Sequence, residues 1–243
     1  MVSVAWLALA SCAFWSRFAC RYSLEMQGHY VGQSSSIQLG CAHLGTVRHV
    51  CAFFGGEEEA YRVLLPFIAD GFSSGHKAVH VVRPERETVH LRRLSSSGID
   101  VAAARVAGQL DVRHDTDTYL VDGRFDCDRM LAAFEAMASG NDNGGFPLSR
   151  IVCDMDWATD HLPDFDALIE FEARVNEVWS RHDDVVVCIY DVRKLRGDMV
   201  IDIMRTHPVV LIGDVLQENP FYVPPARYLR ERAGRMNGGG SSS

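Results

Sequence analysis

The feature that most constrains the fold of this chain is a short apolar run followed by two glycines and three acids. Residues 49–54 (HVCAFF) are typical of a buried strand, the glycines at 55 and 56 indicate a tight turn, and residues 57–59 (EEE) suit the first turn of a helix. A strand, a glycine turn and a helix in this order form the unit in which many α/β proteins hold phosphate groups. The sequence therefore predicts this unit at the start of an α/β domain.

The residues that grip phosphate are missing from this unit. A loop of the GxxxxGK[ST] type needs a Lys for the β- and γ-phosphates and a hydroxyl for Mg²⁺. Residues 55–60 read GGEEEA and supply neither. Each of the three carboxylates would repel a triphosphate by on the order of 1 kcal/mol at contact distance. The sequence predicts the layout of an NTPase with a degenerate phosphate loop, and no nucleotide or other cofactor is expected.

Apolar runs and helical patterns alternate along the rest of the chain. Strands are predicted at residues 48–54, 77–82, 110–114, 150–155, 185–190 and 209–212, and helices at 57–70, 85–96, 127–138, 164–181 and 197–205. Gly71 is placed to end the first helix. Continuous apolar strands separated by helices predict an α/β fold, in which helices cover both faces of a mostly parallel sheet.

The two ends of the chain depart from this pattern. Residues 1–25 are apolar, but they lack a basic start and are interrupted by Arg17 and Arg21. An over-extended gene start, with Met26 as an alternative initiator, is therefore favoured over a signal peptide or a membrane span. We expect a disordered or mis-assigned extension over residues 1–45, an ordered domain over 46–231 and a flexible Gly/Ser tail over 232–243.

The charge and the cysteines of the chain indicate which partners it can bind and in which cellular compartment it lies. The net charge of −8 comes without a Lys/Arg block, which argues against direct nucleic-acid binding. The seven cysteines form no CxxC pair, and several lie in apolar strand-like runs as small hydrophobes. These features predict a cytoplasmic protein that does not contact a membrane.

Several candidate site residues lie where the predicted strands end. In parallel sheets, ligands bind beyond the carboxyl ends of the strands. Phe54, Trp157, Tyr190 and Asp191 occupy such positions, and the three aromatic rings are candidates for pocket walls. The alternative is that the rings only cap the core. Asp154 resembles the acid of a Walker B strand, but without a nucleotide a hydrogen-bonded structural acid is favoured.

The most anomalous acid lies on the predicted helix at residues 164–181. Helical spacing places Glu172 near the centre of the apolar stripe of this helix, and Asn176 follows one turn later. A buried carboxylate is costly unless it is paired. Glu172 is therefore either a structural anchor hydrogen-bonded to neighbouring backbone or a polar contact in a buried ligand site.

The ten histidines show no HxH or HExxH spacing. His49 lies in a strand and His207 precedes a proline at the start of another, so satisfied core or turn histidines are favoured. A metal site assembled in space from His49, Glu172 and His207 is the alternative. We predict no catalytic residue and no metal.

A series of longer segments runs in a fixed order over residues 47–231: HVCAFF, LLPFIADGFSSGHKAVHVV, DMDWA, FEARVNEVW, VVCIYDVRKL and HPVVLIGDVLQENPFYVPP. Together they resemble the MEDS domain, the methanogen/methylotroph sensory domain of dichloromethane-responsive regulators. The resemblance implies a three-layer RecA-like fold, degenerate relative to the RecA/KaiC-type ATPases. It also implies the sensing of small hydrocarbon-like molecules. Polar and aromatic positions that recur in the family fall on His49, Trp157, Glu172, Asn176, Tyr190 and His207.

These features favour a non-enzymatic sensory domain of a prokaryotic signalling or transcription-control system. A small, mostly apolar molecule would bind at the carboxyl end of the sheet. The expected contacts are the walls Phe54, Trp157 and Tyr190 and the polar groups of His49, Glu172, Asn176, Asp191 and His207. The signal would pass in trans to a histidine kinase or an anti-sigma factor. Two alternatives stay open: a divergent nucleotide- or metal-dependent hydrolase of RecA-like fold, and a protein-interaction scaffold without a pocket.

Overall fold

The computed structural model describes residues 37–138, 144–160 and 165–238. The strands are β1 (Ile37–Leu39), β2 (Ala42–Leu44), β3 (His49–Phe54), β4 (Lys77–Val82), β5 (Leu110–His114), β6 (Ser149–Asp154), β7 (Val185–Asp191), β8 (Val209–Ile212) and β9 (Val215–Glu218). The α-helices are α1 (Glu57–Ser73), α2 (Glu87–Ser96), α3 (Val101–Val106), α4 (Asp115–Thr118), α5 (Cys127–Ala138), α6 (Trp157–Asp160), α7 (Phe165–Trp179), α8 (Gly197–Thr206) and α9 (Pro225–Gly238). Single 3₁₀ turns lie at Pro84–Arg86 and Val121–Gly123.

Seven strands form the main sheet, in the order β5-β4-β6-β7-β3-β8-β9. Every neighbouring pair is parallel except β8 and β9, which run antiparallel. The central strands β3 and β4 are buried along their whole length, because helices cover both faces of the sheet. The predicted α/β class and the mostly parallel sheet are confirmed.

Side-chain alternation along the strands divides the core into two apolar layers. In β3, Val50, Ala52 and Phe54 pack with residues of α1, α2 and α3, and we call this side of the sheet the α1 face. Cys51 and Phe53 point the other way and pack with residues of α5, α7 and α8, on the side that we call the α7 face. Residues one apart in a strand therefore belong to different layers.

The described domain is longer at both ends than the sequence indicates. Residues 37–44, expected to belong to the disordered or mis-assigned extension, form the β1–β2 hairpin, and the Cys41 N–H donates to the Asp214 carbonyl at 2.8 Å. At the other end, α9 continues to Gly238, although a flexible tail is expected from residue 232. The expected extension over residues 1–36 and the tail from 239 onward lie outside the described residues.

Helix α1 and strand β9 also differ from expectation. Helix α1 continues past Gly71, which was predicted to end it, and Gly71 is buried there. The glycine is needed here for packing and not to end the helix, because a Cβ at position 71 would lie 2.8 Å from Cδ of Arg150. Strand β9 was not predicted, because its four residues carry only two apolar side chains. Among the described helices, none combines the length and the apolar character needed to cross a bilayer.

Candidate functional site

Side chains of the protein itself fill the position at the start of α1 where a phosphate would bind. The Gly55 N–H donates to the Glu59 carboxylate at 2.6 Å. The guanidinium of Arg193 covers Gly56 so closely that a Cβ there would lie 2.4 Å from its Nη2. The Gly55 N–H, in the turn just before the helix, is therefore already bound by a carboxylate of the helix itself, and an incoming anion would meet that negative charge.

A cleft of ≈ 200 Å³ lies at the carboxyl ends of β3, β4, β6 and β7, on the α1 face of the sheet. Its apolar lining comes from both the helix and the strands and includes Phe54, Ala60, Leu64, Ile68, Val82, Val152 and Ile189. A concave, mostly apolar surface with a few polar groups is the usual character of a small-molecule site.

Three polar side chains form a continuous hydrogen-bonded chain along the cleft. The Tyr61 hydroxyl lies 2.9 Å from His90 Nδ1, and His90 Nε2 lies 2.9 Å from His80 Nδ1. Burial lowers the pKa of His90 to about 4 and the pKa of His80 well below its usual value. Both imidazoles are therefore neutral at pH 7, and this part of the cleft is polar without being charged.

Charged groups lie at one end of the cleft. Arg86 contacts Asp154 at 2.6 Å and Asp156 at 3.2 Å, while Lys194 contacts Asp156 at 2.7 Å. Burial, followed by the neighbouring Asp156, raises the pKa of Asp154 to about 6. Asp154 is thus a hydrogen-bonded acid, with Arg86 as the partner of its carboxylate.

A buried polar cluster lies across the sheet, on the α7 face. Its members are His49, Glu172, Asn176, Cys188, Tyr190 and His207, which we call the Glu172 cluster. All six are buried, and Asn176, the most exposed, shows only 8% of its surface. Helix α7 supplies two members and β7 two more, while the two histidines come from the amino end of β3 and from the residues just before β8.

Glu172 is the centre of this cluster. Its Oε2 lies 3.2 Å from His49 Nε2 and 3.4 Å from His207 Nε2, and its Oε1 accepts a hydrogen bond from the Tyr190 hydroxyl at 3.1 Å. Burial alone would raise the pKa of Glu172, but the two histidines and Tyr190 together lower it. Burial lowers the pKa of His207 to about 4, so the carboxylate faces a neutral imidazole.

The cluster also contains the atoms that transition metals bind. One ligand atom from each of His49, Glu172, Cys188 and His207 lies within 4.8 Å of every other. Imidazole nitrogen, carboxylate oxygen and thiolate sulfur are all common zinc ligands. The alternative of a metal site, left open by the sequence, therefore has a structural basis, to which Cys188 contributes a fourth group.

The residues predicted to share one pocket divide between the two sites. Phe54 and Asp191 lie in the cleft, and Asp191 binds Arg193 at 2.6 Å, which holds the pKa of Asp191 below its usual value. The expected polar contacts His49, Glu172, Asn176 and His207 lie in the Glu172 cluster instead. Tyr190 borders both sites, with its side chain in the cluster and its strand beside the cleft.

Trp157 lies in neither site. Its ring stacks on Tyr119 and Phe125, with centroid distances of 5.1 and 5.5 Å, within the core of the α7 face. This is the core-capping alternative that the sequence left open. The stack could not be foreseen, because Tyr119 and Phe125 lie in a segment without a periodic pattern.

Sequence reasoning missed several residues of both sites. In the cleft these are Tyr61, His80, Arg86, His90 and Lys194. In the Glu172 cluster the missed residue is Cys188, for which a signal was present: it lies two residues before Tyr190 in the same strand and therefore points to the same face.

Comparison with known protein families matches residues 48–208 to MEDS, the methanogen/methylotroph, DcmR sensory domain. The match covers well over half of the chain and runs from the residue before β3 to the residue before β8. It includes every member of the Glu172 cluster and every residue that lines the cleft. No curated protein matches the chain. Because the family match spans the whole arrangement of both sites, this chain belongs to the MEDS family of sensory domains.

Proposed function

We propose that this sensory domain binds a small, mostly apolar molecule in the cleft at the carboxyl end of the sheet. The observation that carries the proposal is the cleft itself, ≈ 200 Å³ of space beside an apolar wall. Pockets for drug-sized ligands hold roughly 300–1,000 Å³, so the ligand we expect is smaller than these. A hydrocarbon-like molecule satisfies both the size and the apolar lining.

The polar groups of the cleft indicate which polar groups the ligand contains. Tyr61 and the two neutral histidines, His80 and His90, offer hydrogen bonds without charge. The charged groups Arg86, Asp154 and Asp156 are already bound to one another. We therefore propose a ligand with a single uncharged polar group, because a charged ligand would have to break these ion pairs.

We propose a sensor without catalytic activity, built on a RecA-like fold whose phosphate loop no longer functions. This is supported by the carboxylate of Glu59 and the guanidinium of Arg193, which lie where the phosphates of a nucleotide would bind. Ligand binding would shift an equilibrium between existing conformations. A separate cytoplasmic regulator of transcription, such as a histidine kinase or an anti-sigma factor, would bind one of these conformations.

A thermal-shift screen tests the proposal. The compounds are a panel of small apolar and aromatic molecules, and ATP with Mg²⁺ is screened beside them. We expect at least one apolar compound to raise Tm in a dose-dependent way, since a ligand at 100 times its Kd stabilises the folded state by about 2.7 kcal/mol. We expect no shift with ATP.

A matched pair of substitutions locates the binding site. Ala60→Leu adds bulk to the cleft, whereas Ala133→Leu adds the same bulk to a surface groove of ≈ 530 Å³ lined by residues of β5 and α5. The Tm shift should disappear in the first variant and persist in the second. The reverse pattern would move the site to the groove. A shift with ATP alone would favour a nucleotide hydrolase, and no shift with any compound would favour the scaffold.

A further inference from the structure

The hydrogen bonds of Asn176 fix the proton of one histidine in the Glu172 cluster. The two hydrogens of Asn176 Nδ2 are shared among three backbone carbonyl oxygens, those of Glu172, Ala173 and Thr206. These bonds orient the amide, so its Oδ1 faces His49 Nδ1 at 3.0 Å. Because an amide oxygen only accepts, His49 Nδ1 carries a proton, and in the neutral imidazole the Nε2 atom presents a lone pair toward Glu172.

His207 is oriented in the same way. Its Nδ1 lies 2.8 Å from the Ile203 carbonyl oxygen, which also only accepts, so Nε2 again presents a lone pair. Neither this nitrogen nor Glu172 Oε2 has a hydrogen-bond partner among the described residues. Two imidazole nitrogens and a carboxylate oxygen therefore converge in the protein interior, where the thiol of Cys188 lies 3.7 Å from His49 Nε2. A positive ion at the centre would satisfy the two atoms that have no partner, Glu172 Oε2 and His207 Nε2.

Three of the six distances among the four candidate ligand atoms are close to those of a tetrahedral metal site, and all six are within 4.8 Å. The distances from Glu172 Oε2 to the two imidazole nitrogens are 3.2 and 3.4 Å, and Cys188 Sγ lies 3.7 Å from His49 Nε2. Tetrahedral zinc with ordinary bond lengths separates its ligand atoms by about 3.3–3.6 Å.

We propose that the Glu172 cluster binds one divalent transition-metal ion of the zinc type. The ligands are His49 Nε2, Glu172 Oε2, Cys188 Sγ and His207 Nε2. On binding, the Cys188 thiol loses its proton to solvent and becomes a thiolate. The thiolate and the Glu172 carboxylate together balance the two positive charges of the metal, so the buried site is neutral as a whole.

The surroundings assign the metal a structural role. All four ligand residues are buried, so the protein supplies the complete tetrahedron and no open position is left for a substrate. The Asn176 amide and the Ile203 carbonyl hold the outer nitrogens of the two histidines, as partners of metal-bound imidazoles usually do. The ion joins α7 to β3, to β7 and to the start of β8, and it enters as the chain folds.

Metal analysis of the full chain tests this inference. The protein is expressed in medium supplemented with zinc and analysed for metal after gel filtration, and a second sample is refolded from denaturant with Co²⁺. We expect about one zinc per chain. In the second sample we expect the visible bands of tetrahedral Co²⁺ together with a thiolate-to-cobalt charge-transfer band.

Variants assign the ligands. Glu172→Gln and His207→Gln should lose the metal, and Cys188→Ser should lose the charge-transfer band. Cys153→Ser is the control, because Cys153 is an equally buried thiol outside the ligand set, and it should keep both metal and band. If the ligand variants fail to fold, the wild-type zinc content and cobalt spectrum decide. Wild-type protein that folds without metal and gives no cobalt bands overturns the proposal, and a charge-transfer band that survives in Cys188→Ser overturns the assignment of the sulfur ligand.

Discussion

Asp154 ends β6 with its carboxylate between Asp156 and Arg86, and only 13% of its side chain is exposed. Its pKa of about 6 in the folded protein exceeds the usual value of about 3.9 expected in the unfolded chain. The folded state therefore binds this proton more tightly. The stability from this group is fully present below about pH 4 and is lost as the pH rises through about 6.

Asp154→Asn should remove this dependence. Between about pH 4 and pH 6 the wild-type protein should lose on the order of 2–3 kcal/mol of unfolding free energy relative to the variant. Urea denaturation at a series of pH values measures the difference. Asp183→Asn, which removes an exposed acid, is the control and should follow the wild type. Parallel curves for wild type and Asp154→Asn would show that the carboxyl group titrates normally.

The helical pattern of α7 was enough to predict that Glu172 points inward, and the structure confirms its burial. The same pattern could not reveal the partners of Glu172. His49 and His207 are far apart in sequence and come together only because β3 and β8 are neighbours in the sheet. Strand order depends on how all the helices and strands pack together, so no local pattern of residues contains it.

Two helices contain an interior glycine, and the two glycines should respond oppositely to the same change. Gly71→Ala in α1 would place a Cβ 2.8 Å from the buried Arg150, which binds the Phe67 carbonyl and Asp70. Gly234→Ala in α9 meets nothing within 4 Å. We expect the first change to destabilise the protein by about 1–3 kcal/mol and the second to stabilise it by up to about 1 kcal/mol.

Chemical denaturation of the two glycine variants beside the wild type gives both free energies. A neutral or stabilising Gly71→Ala would mean that Arg150 moves aside at no cost, and the close packing would then not explain why α1 has a glycine here.

The longer helices and strands were predicted to within a few residues, and so was the four-residue β8, but the other short elements were mostly missed. The pattern of β4 predicted residues 77–82, and the strand spans Lys77–Val82. Strands β1, β2 and β9 have only three or four residues each. Strand β8 is as short, but all four of its residues are apolar, whereas the other three strands mix apolar and polar residues. A period of two needs more positions than this to stand out, so the missed strands depend on contacts that the sequence does not display.

The β1–β2 hairpin extends the core of the whole molecule beyond the predicted start of the domain. Leu39 is fully buried in the apolar layer of the α1 face, whereas its neighbour Gln38 is exposed. Leu39→Ala should therefore reduce the unfolding free energy by about 2–5 kcal/mol, and Gln38→Ala should change it by less than about 0.5 kcal/mol.

Urea denaturation of the full chain compares the two hairpin variants. Equal and small effects would show that the hairpin is not part of the cooperative unit, and that the domain starts near residue 46 as the sequence indicates.

Strand β7 contributes residues to both the cleft and the Glu172 cluster. Val187 and Ile189 point to the α1 face, and Ile189 lines the cleft, while Cys188 and Tyr190 point to the α7 face and belong to the Glu172 cluster. A shift of one residue in a strand moves every side chain to the opposite face. A single inserted residue in β7 would turn Cys188 toward the cleft and Ile189 toward Glu172. The length of this strand is therefore constrained from both sides of the sheet, independently of which side chains it carries.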